Sequence, residues 1–211
     1  MEINYESLKI PSTVNILEKQ SIKIDRAIVD ENFEAIHKYC DKSISEFKSY
    51  DFHKDIANWL ADSNGLGLAL YSTKGGVNVG LGKSLFVSKV LPVMLLNFHK
   101  PNKFTYYFNC ADFNMKDFEK VMEFDGRIIL IIDEFGREPL VLKDYGTIIK
   151  PMERIFEKAS RQGWTIVLAT NFTKEEVAKH YNSDHLIDRL RSMCFSIECS
   201  GTSNRKKAEL I

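Results

Sequence analysis

The chain has 211 residues, 44% of them hydrophobic and 27% charged, a balance suited to one large folded domain and unlike that of disordered or fibrous chains. Twenty-nine Lys and Arg against twenty-nine Asp and Glu leave no formal net charge, which excludes the broad basic field of a strong duplex-DNA binder. Cys40, Cys110, Cys194 and Cys199 form no Cys-x-x-Cys pair, so neither a zinc ribbon nor a disulfide framework is indicated, and no apolar run approaches the roughly 20 residues that span a bilayer. The start MEINYESLKI carries no basic stretch followed by an apolar one, and the expected setting is the cytoplasm.

Residues 1–62 contain no glycine and read as a helical arm. In the segment from Asp30 to Tyr39 and just beyond, Phe33, Ile36, His37 and Cys40 recur on one helical face. Eight Lys and Arg against eleven Asp and Glu in residues 1–60 suit a protein partner better than a phosphate backbone. At Asn64-Gly65 the texture changes, since glycine is a usual helix stop and GLGLALY is the continuous apolar run of a buried parallel strand. Residues 63–211 are read as the core, beginning there.

After Tyr71 comes STKGGVNVGLGKS and then the apolar helix LFVSKVLPVMLL, the strand, glycine loop and helix order that a phosphate-binding loop requires. Glycines such as Gly80 and Gly82 let backbone N–H groups close around a phosphate. Lys83 would neutralise β- and γ-oxygens, and Ser84 would hold Mg²⁺ at the helix N-terminus. The pattern G-x-x-x-x-G-K-[ST] would place its first glycine at position 77, where this chain has Val77.

Further strands are predicted over Phe104–Asn109, Arg127–Ile132, Thr165–Ala169 and Phe195–Cys199, alternating with helices over Ser84–Asn97, Met115–Phe124 and Tyr145–Arg161. The fold expected is α/β, a five-stranded, mostly parallel sheet with helices on both faces. The third strand runs into Asp133-Glu134 at the carboxyl edge of the sheet, where ligands bind in open α/β folds. There Asp133 can reach a Mg²⁺ shell and Glu134 can polarise an attacking water. Asn171, after TIVLAT, can orient a water or serve as a turn residue, and Thr173 with Glu176 fits a capping box. Asp188-Arg189-Leu190-Arg191 falls in a helix, and Arg205 closes Gly201-Thr202-Ser203-Asn204-Arg205 after the last strand. Either arginine could meet phosphate oxygens or a surface carboxylate.

In this order GLALY, GLGKS, IILIIDEFG, TIVLATN, LIDRL and GTSNR, spanning residues from about 65 to 205, resemble the motifs of the DnaC/IstB ATPases, an AAA+ family of helicase loaders and transposition ATPases. The nearest likeness is to phage, plasmid or mobile-element members. The resemblance implies a P-loop ATPase of the AAA+ type that binds ATP and Mg²⁺, with Gly80, Leu81, Gly82, Lys83, Ser84 and Leu85 around the phosphates. It implies Ser84 and Asp133 at the metal, Glu134 as water activator, Asn171 as sensor, Arg189 as an arginine finger across a subunit interface, and Arg205 in a sensor-like role. It further implies a replicative helicase or another DNA-bound assembly as partner, homo-oligomers when active, and no helical lid domain.

About five residues near Thr73 to Val77 are inserted relative to that family, either as a flap over the phosphates or as an exposed bulge. Lys74-Gly75-Gly76-Val77 also resembles the deviant loop of ParA/MinD partition ATPases, although those lack the Asp-Glu pair and the G-x-S-x-R ending. An ATP-gated binding module without turnover is a third reading, disfavoured by Glu134. Single-stranded DNA is a further candidate contact, through Lys116 and Lys120 one turn apart around Phe118, as is a merely solvated helix face.

Overall fold

The computed structural model describes residues 21–42, 47–74, 80–99 and 104–201. Arg205 and most of the inserted segment lie outside the described residues. Five strands, β1 (Gly67–Ser72), β2 (Phe104–Asn109), β3 (Ile128–Asp133), β6 (Thr165–Ala169) and β7 (Cys194–Cys199), form one sheet in the order β2-β3-β6-β1-β7, and every neighbouring pair is parallel. β1, β3 and β6 are buried at every position, which is why they read as unbroken apolar runs rather than alternating ones.

Alternate residues of these strands feed two separate cores. Leu68, Leu70, Ile129, Ile131, Val167 and Ala169 face one side, and Ala69, Tyr71, Ile128, Leu130, Ile132 and Ile166 the other. The first core is closed by α1 (Arg26–Cys40), α2 (Asp51–Ala61) and the helix that follows the glycine loop. The second is closed by α5 (Met115–Glu123), α6 (Pro151–Gln162), α7 (Lys174–Tyr181) and α8 (Asp184–Met193). Phe33, Phe52, Ile56, Trp59 and Leu60 of the arm belong to the same core as β1, each contributing about 1.5–3 kcal/mol by leaving water. The backbone reinforces this, with Ile24 N–H donating to the Leu60 carbonyl at 3.0 Å and Ser63 N–H to that of Ile22 at 3.0 Å. The expected α/β architecture with helices on both faces is therefore present, and the described part of the arm is packed onto it.

The helix predicted from Tyr145 begins instead at Pro151. Before it, β4 (Leu142–Asp144) and β5 (Thr147–Ile149) pair antiparallel, turning through Tyr145 (φ 43°) and Gly146 (φ 89°), both left-handed as a tight hairpin turn requires. Proline then opens α6 because its ring pre-sets φ and its missing N–H would have had no partner in the first turn. The capping box of α7 is formed as expected: Glu176 N–H donates to Thr173 Oγ1 at 3.2 Å, and Thr173 N–H to Glu176 Oε2 at 2.8 Å. On α5, Phe118 is buried and the Lys120 ammonium lies 5.0 Å from the Tyr106 ring centroid, so that helix offers no exposed Phe118 face for a base to stack on.

Candidate nucleotide site

The glycine loop reaches its helix through Gly82, at φ 90° and ψ 5°. A Cβ there would meet nothing within 4 Å, so glycine is required for backbone conformation rather than for space. Lys83 opens α3 (Lys83–Leu85), and the same helix continues through wide π-type turns at Phe86–Val90 and Leu95–His99 flanking α4 (Leu91–Met94). Pro92 lacks an N–H and crowds the preceding turn, a physical reason for widening before it. Leu81 is buried and Leu85 packs against the first core. What these two can offer a phosphate is therefore the backbone amide.

Lys83 is only 5% exposed, and its Nζ donates to Ser72 Oγ at 2.9 Å. Burial holds its pKa below the usual lysine value, while Cys199 and Asp133 act in the opposite direction. The next residue, Ser84, donates its hydroxyl to Asp133 Oδ1 at 2.9 Å. Asp133 is buried, and desolvation raises its pKa against the Ser84 hydroxyl and the Glu134 N–H, which donates to the same oxygen at 2.9 Å. Glu134, half-buried and at φ 52°, accepts from Arg137 Nη1 at 3.3 Å. Loop, helix and acidic strand end thus converge at one edge of the sheet.

Two backbone bonds place Asn171 beside them: Thr170 N–H donates to the Leu70 carbonyl at 3.0 Å and Ser72 N–H to that of Phe172 at 3.0 Å. Asn171 is held where β1 leaves the sheet for the loop. Arg189 is not tied to this group. It sits half-buried on α8, donates to the His185 carbonyl of its own helix at 3.3 Å, and has no salt-bridge partner among the described residues.

Ser72, Tyr107 and Tyr50 were not singled out from the sequence. The Tyr107 hydroxyl lies 3.5 Å from Asp133 Oδ2, at the outer limit of a hydrogen bond. Gly201, just past β7, packs against the Tyr50 ring and Leu81, so the arm and the last strand also border the loop. A tyrosine before a helix and a serine ending a strand carry no sequence signal of their own.

Ser84 and Asp133 form a hard-oxygen pair of the kind Mg²⁺ uses when substrate phosphates and water complete its shell. Among the described residues no cluster of three or more His, Cys, Asp or Glu could hold a metal unaided. A helix N-terminus behind a glycine turn, a buried lysine and an acidic strand end place a phosphate-binding loop at the edge of a parallel α/β sheet, the arrangement of a P-loop NTPase fold.

No family model matches the chain and no curated protein does. Among solved structures, the chain is similar to AMPPCP-bound DnaA from Aquifex aeolicus, at 14% sequence identity and a TM-score of 0.49 over 72% of this chain. The match covers 48% of that chain, so this chain spans about half the length of that structural neighbour. Among the described residues no helix is long and apolar enough to cross a membrane.

Proposed function

We propose that the chain binds ATP with Mg²⁺, hydrolyses it, and uses the nucleotide state to load or remodel a replicative helicase or another DNA-bound assembly. The observation that carries the ATPase reading is the 2.9 Å bond from Ser84 to Asp133 beside the buried Lys83. Loop and acidic strand come from distant parts of the sequence, and phosphoryl transfer needs both within one metal's reach.

In this reading the loop amides cradle the phosphates and Lys83 leaves Ser72 to neutralise the β- and γ-oxygens. Bound Mg²⁺ would be held by Ser84 and Asp133 and would offset charge on the phosphates. Glu134 orients the attacking water, Asn171 contacts that water or the γ-phosphate, and Arg189 of an adjacent subunit supplies charge stabilisation. Residues 1–62 are the candidate partner-binding region. Among the described residues of that region, Phe33, Phe52, Ile56 and Leu60 share one core with the helix that starts at Lys83, which supports a link between nucleotide and partner.

The test is capture of a purified replicative helicase by the full chain, with and without ATP, alongside phosphate release. Nucleotide-dependent capture with hydrolysis supports the proposal. Hydrolysis without capture of the helicase removes the partner, and absence of both ATP binding and hydrolysis removes the whole reading.

A further inference from the structure

Glu138 is 4% exposed and has no salt-bridge partner among the described residues. A buried carboxylate without a cation is costly, so its donors should explain its place. Its Oε2 accepts the Gly136 N–H at 2.9 Å, and its Oε1 accepts the hydroxyl of Tyr181, the last residue of α7. The Cys110 thiol lies beside it, and burial together with this carboxylate pushes that thiol well above its usual range. Burial and the neighbouring carboxylate push the Tyr181 phenol well above its usual range, which keeps it protonated and donating.

These bonds close the turn that carries Glu134. Within it, Arg137 N–H donates to the Glu134 carbonyl at 3.0 Å, Phe135 N–H to the Ala169 carbonyl at 2.9 Å, and Thr170 Oγ1 to the Phe135 carbonyl at 2.6 Å. Gly136, at φ 99°, lies so close to the Phe172 ring that a Cβ would come within 2.7 Å of it. Glu134 itself is held in the left-handed region at φ 52°, which a residue with a side chain keeps only when its surroundings over-determine it. β6 restrains one side of the turn. Glu138, tied to α7, restrains the other.

We propose that Glu138, held by Tyr181, is a positioning residue that fixes the backbone from which Glu134 reaches its water. The proposal rests on the ATPase reading and adds to it a residue that need not touch nucleotide. A turn released on the α7 side would let the Glu134 carboxylate drift. Displacements of about 1 Å at a reacting group cost on the order of a hundredfold in rate.

The experiment measures kcat, ATP affinity by titration and thermal stability for the full chain and for Tyr181→Phe, Glu138→Gln, Glu134→Gln and the Tyr181→Phe/Glu134→Gln pair. Tyr181→Phe and Glu138→Gln should each lower kcat by about tenfold to a hundredfold, with ATP affinity kept within about threefold. In the Glu134→Gln background Tyr181→Phe should have no further effect on residual hydrolysis, because the group being positioned is gone. Tyr181→Phe removes a single oxygen and decides the matter if Glu138→Gln does not fold. Unchanged kcat, loss of affinity in proportion to rate, or an equal loss in the Glu134→Gln background would overturn the inference while leaving the ATPase reading intact. No turnover by the unmodified chain would overturn that reading and this inference with it.

Discussion

Replacing Lys83 by methionine separates a phosphate-binding lysine from a structural one. Methionine keeps most of the side-chain volume, so the first core is not opened. The change removes the 2.9 Å charged bond to Ser72, worth about 1.5–3 kcal/mol, but Ser72 Oγ also lies 3.5 Å from the Thr170 carbonyl, to which it can donate. It also removes a charge that the fold buries at a cost, as the lowered pKa of Lys83 records. The two effects oppose each other, and the nucleotide-free variant should melt within about 2–4 °C of the unmodified chain. Because the folded-state pKa lies below the usual 10.5, the penalty is full below the folded value and is relieved as pH rises from there to 10.5. Any advantage of the variant should shrink accordingly as pH approaches 10.5. ATP behaves differently. At a hundredfold excess over its Kd, a ligand stabilises the folded chain by about 2.7 kcal/mol, or about 5–11 °C for a domain of this size, and the variant should lose that shift. The assay is thermal melting with and without ATP and Mg²⁺. A full ATP shift in Lys83→Met, or a nucleotide-free melting point more than about 10 °C lower, would refute the reasoning.

Asp133→Asn and Ser84→Ala should each weaken Mg²⁺-dependent ATP binding while leaving metal-free binding less affected, checked by titration with Mg²⁺ and with chelator. Arg189→Ala should be inactive alone, yet regain phosphate release when mixed with Lys83→Ala, because a mixed interface can pair an intact loop with an intact arginine; absence of rescue would place Arg189 outside any shared site. His53 is buried with its pKa lowered to about 3, mainly by desolvation, and its Nδ1 accepts the Tyr50 N–H at 3.1 Å, so it folds as the neutral ring. Its contribution is undiminished above its usual value of 6.5 and is lost as pH falls from there toward 3. Urea denaturation should therefore give a stability about 2 kcal/mol lower at pH 5 than at pH 7, a difference that His53→Asn reduces.

Much of the sheet was legible because β1, β3 and β6 are covered on both faces and so advertise themselves as apolar runs bounded by turns. The neighbourhood of Ser84 and Asp133 was legible for a related reason: a loop before a helix and acids after a strand must both lie at the carboxyl edge of a parallel sheet. The hairpin before α6 was not. Its turn uses Tyr145-Gly146 rather than Asn-Gly or Asp-Gly, and its outer residues Val141, Tyr145 and Ile148 are exposed, so neither turn chemistry nor alternation marks it. Glu138 was invisible for another reason. In Gly136-Arg137-Glu138-Pro139 a glutamate reads as part of a solvated turn, and only the fold brings Tyr181 and Cys110, distant in the chain, against it. Arg189 stands between these cases, since its helix was foreseen while the group it serves belongs, in the proposed reading, to another subunit.

The most direct test of the ATPase claim is steady-state phosphate release from ATP and Mg²⁺ by the unmodified chain and by Glu134→Gln, at several protein concentrations. The account predicts release by the unmodified chain at a specific rate that rises with concentration. It also predicts a rate lower by about two orders of magnitude or more in Glu134→Gln, with ATP binding retained. Release by Glu134→Gln equal to that of the unmodified chain would contradict it.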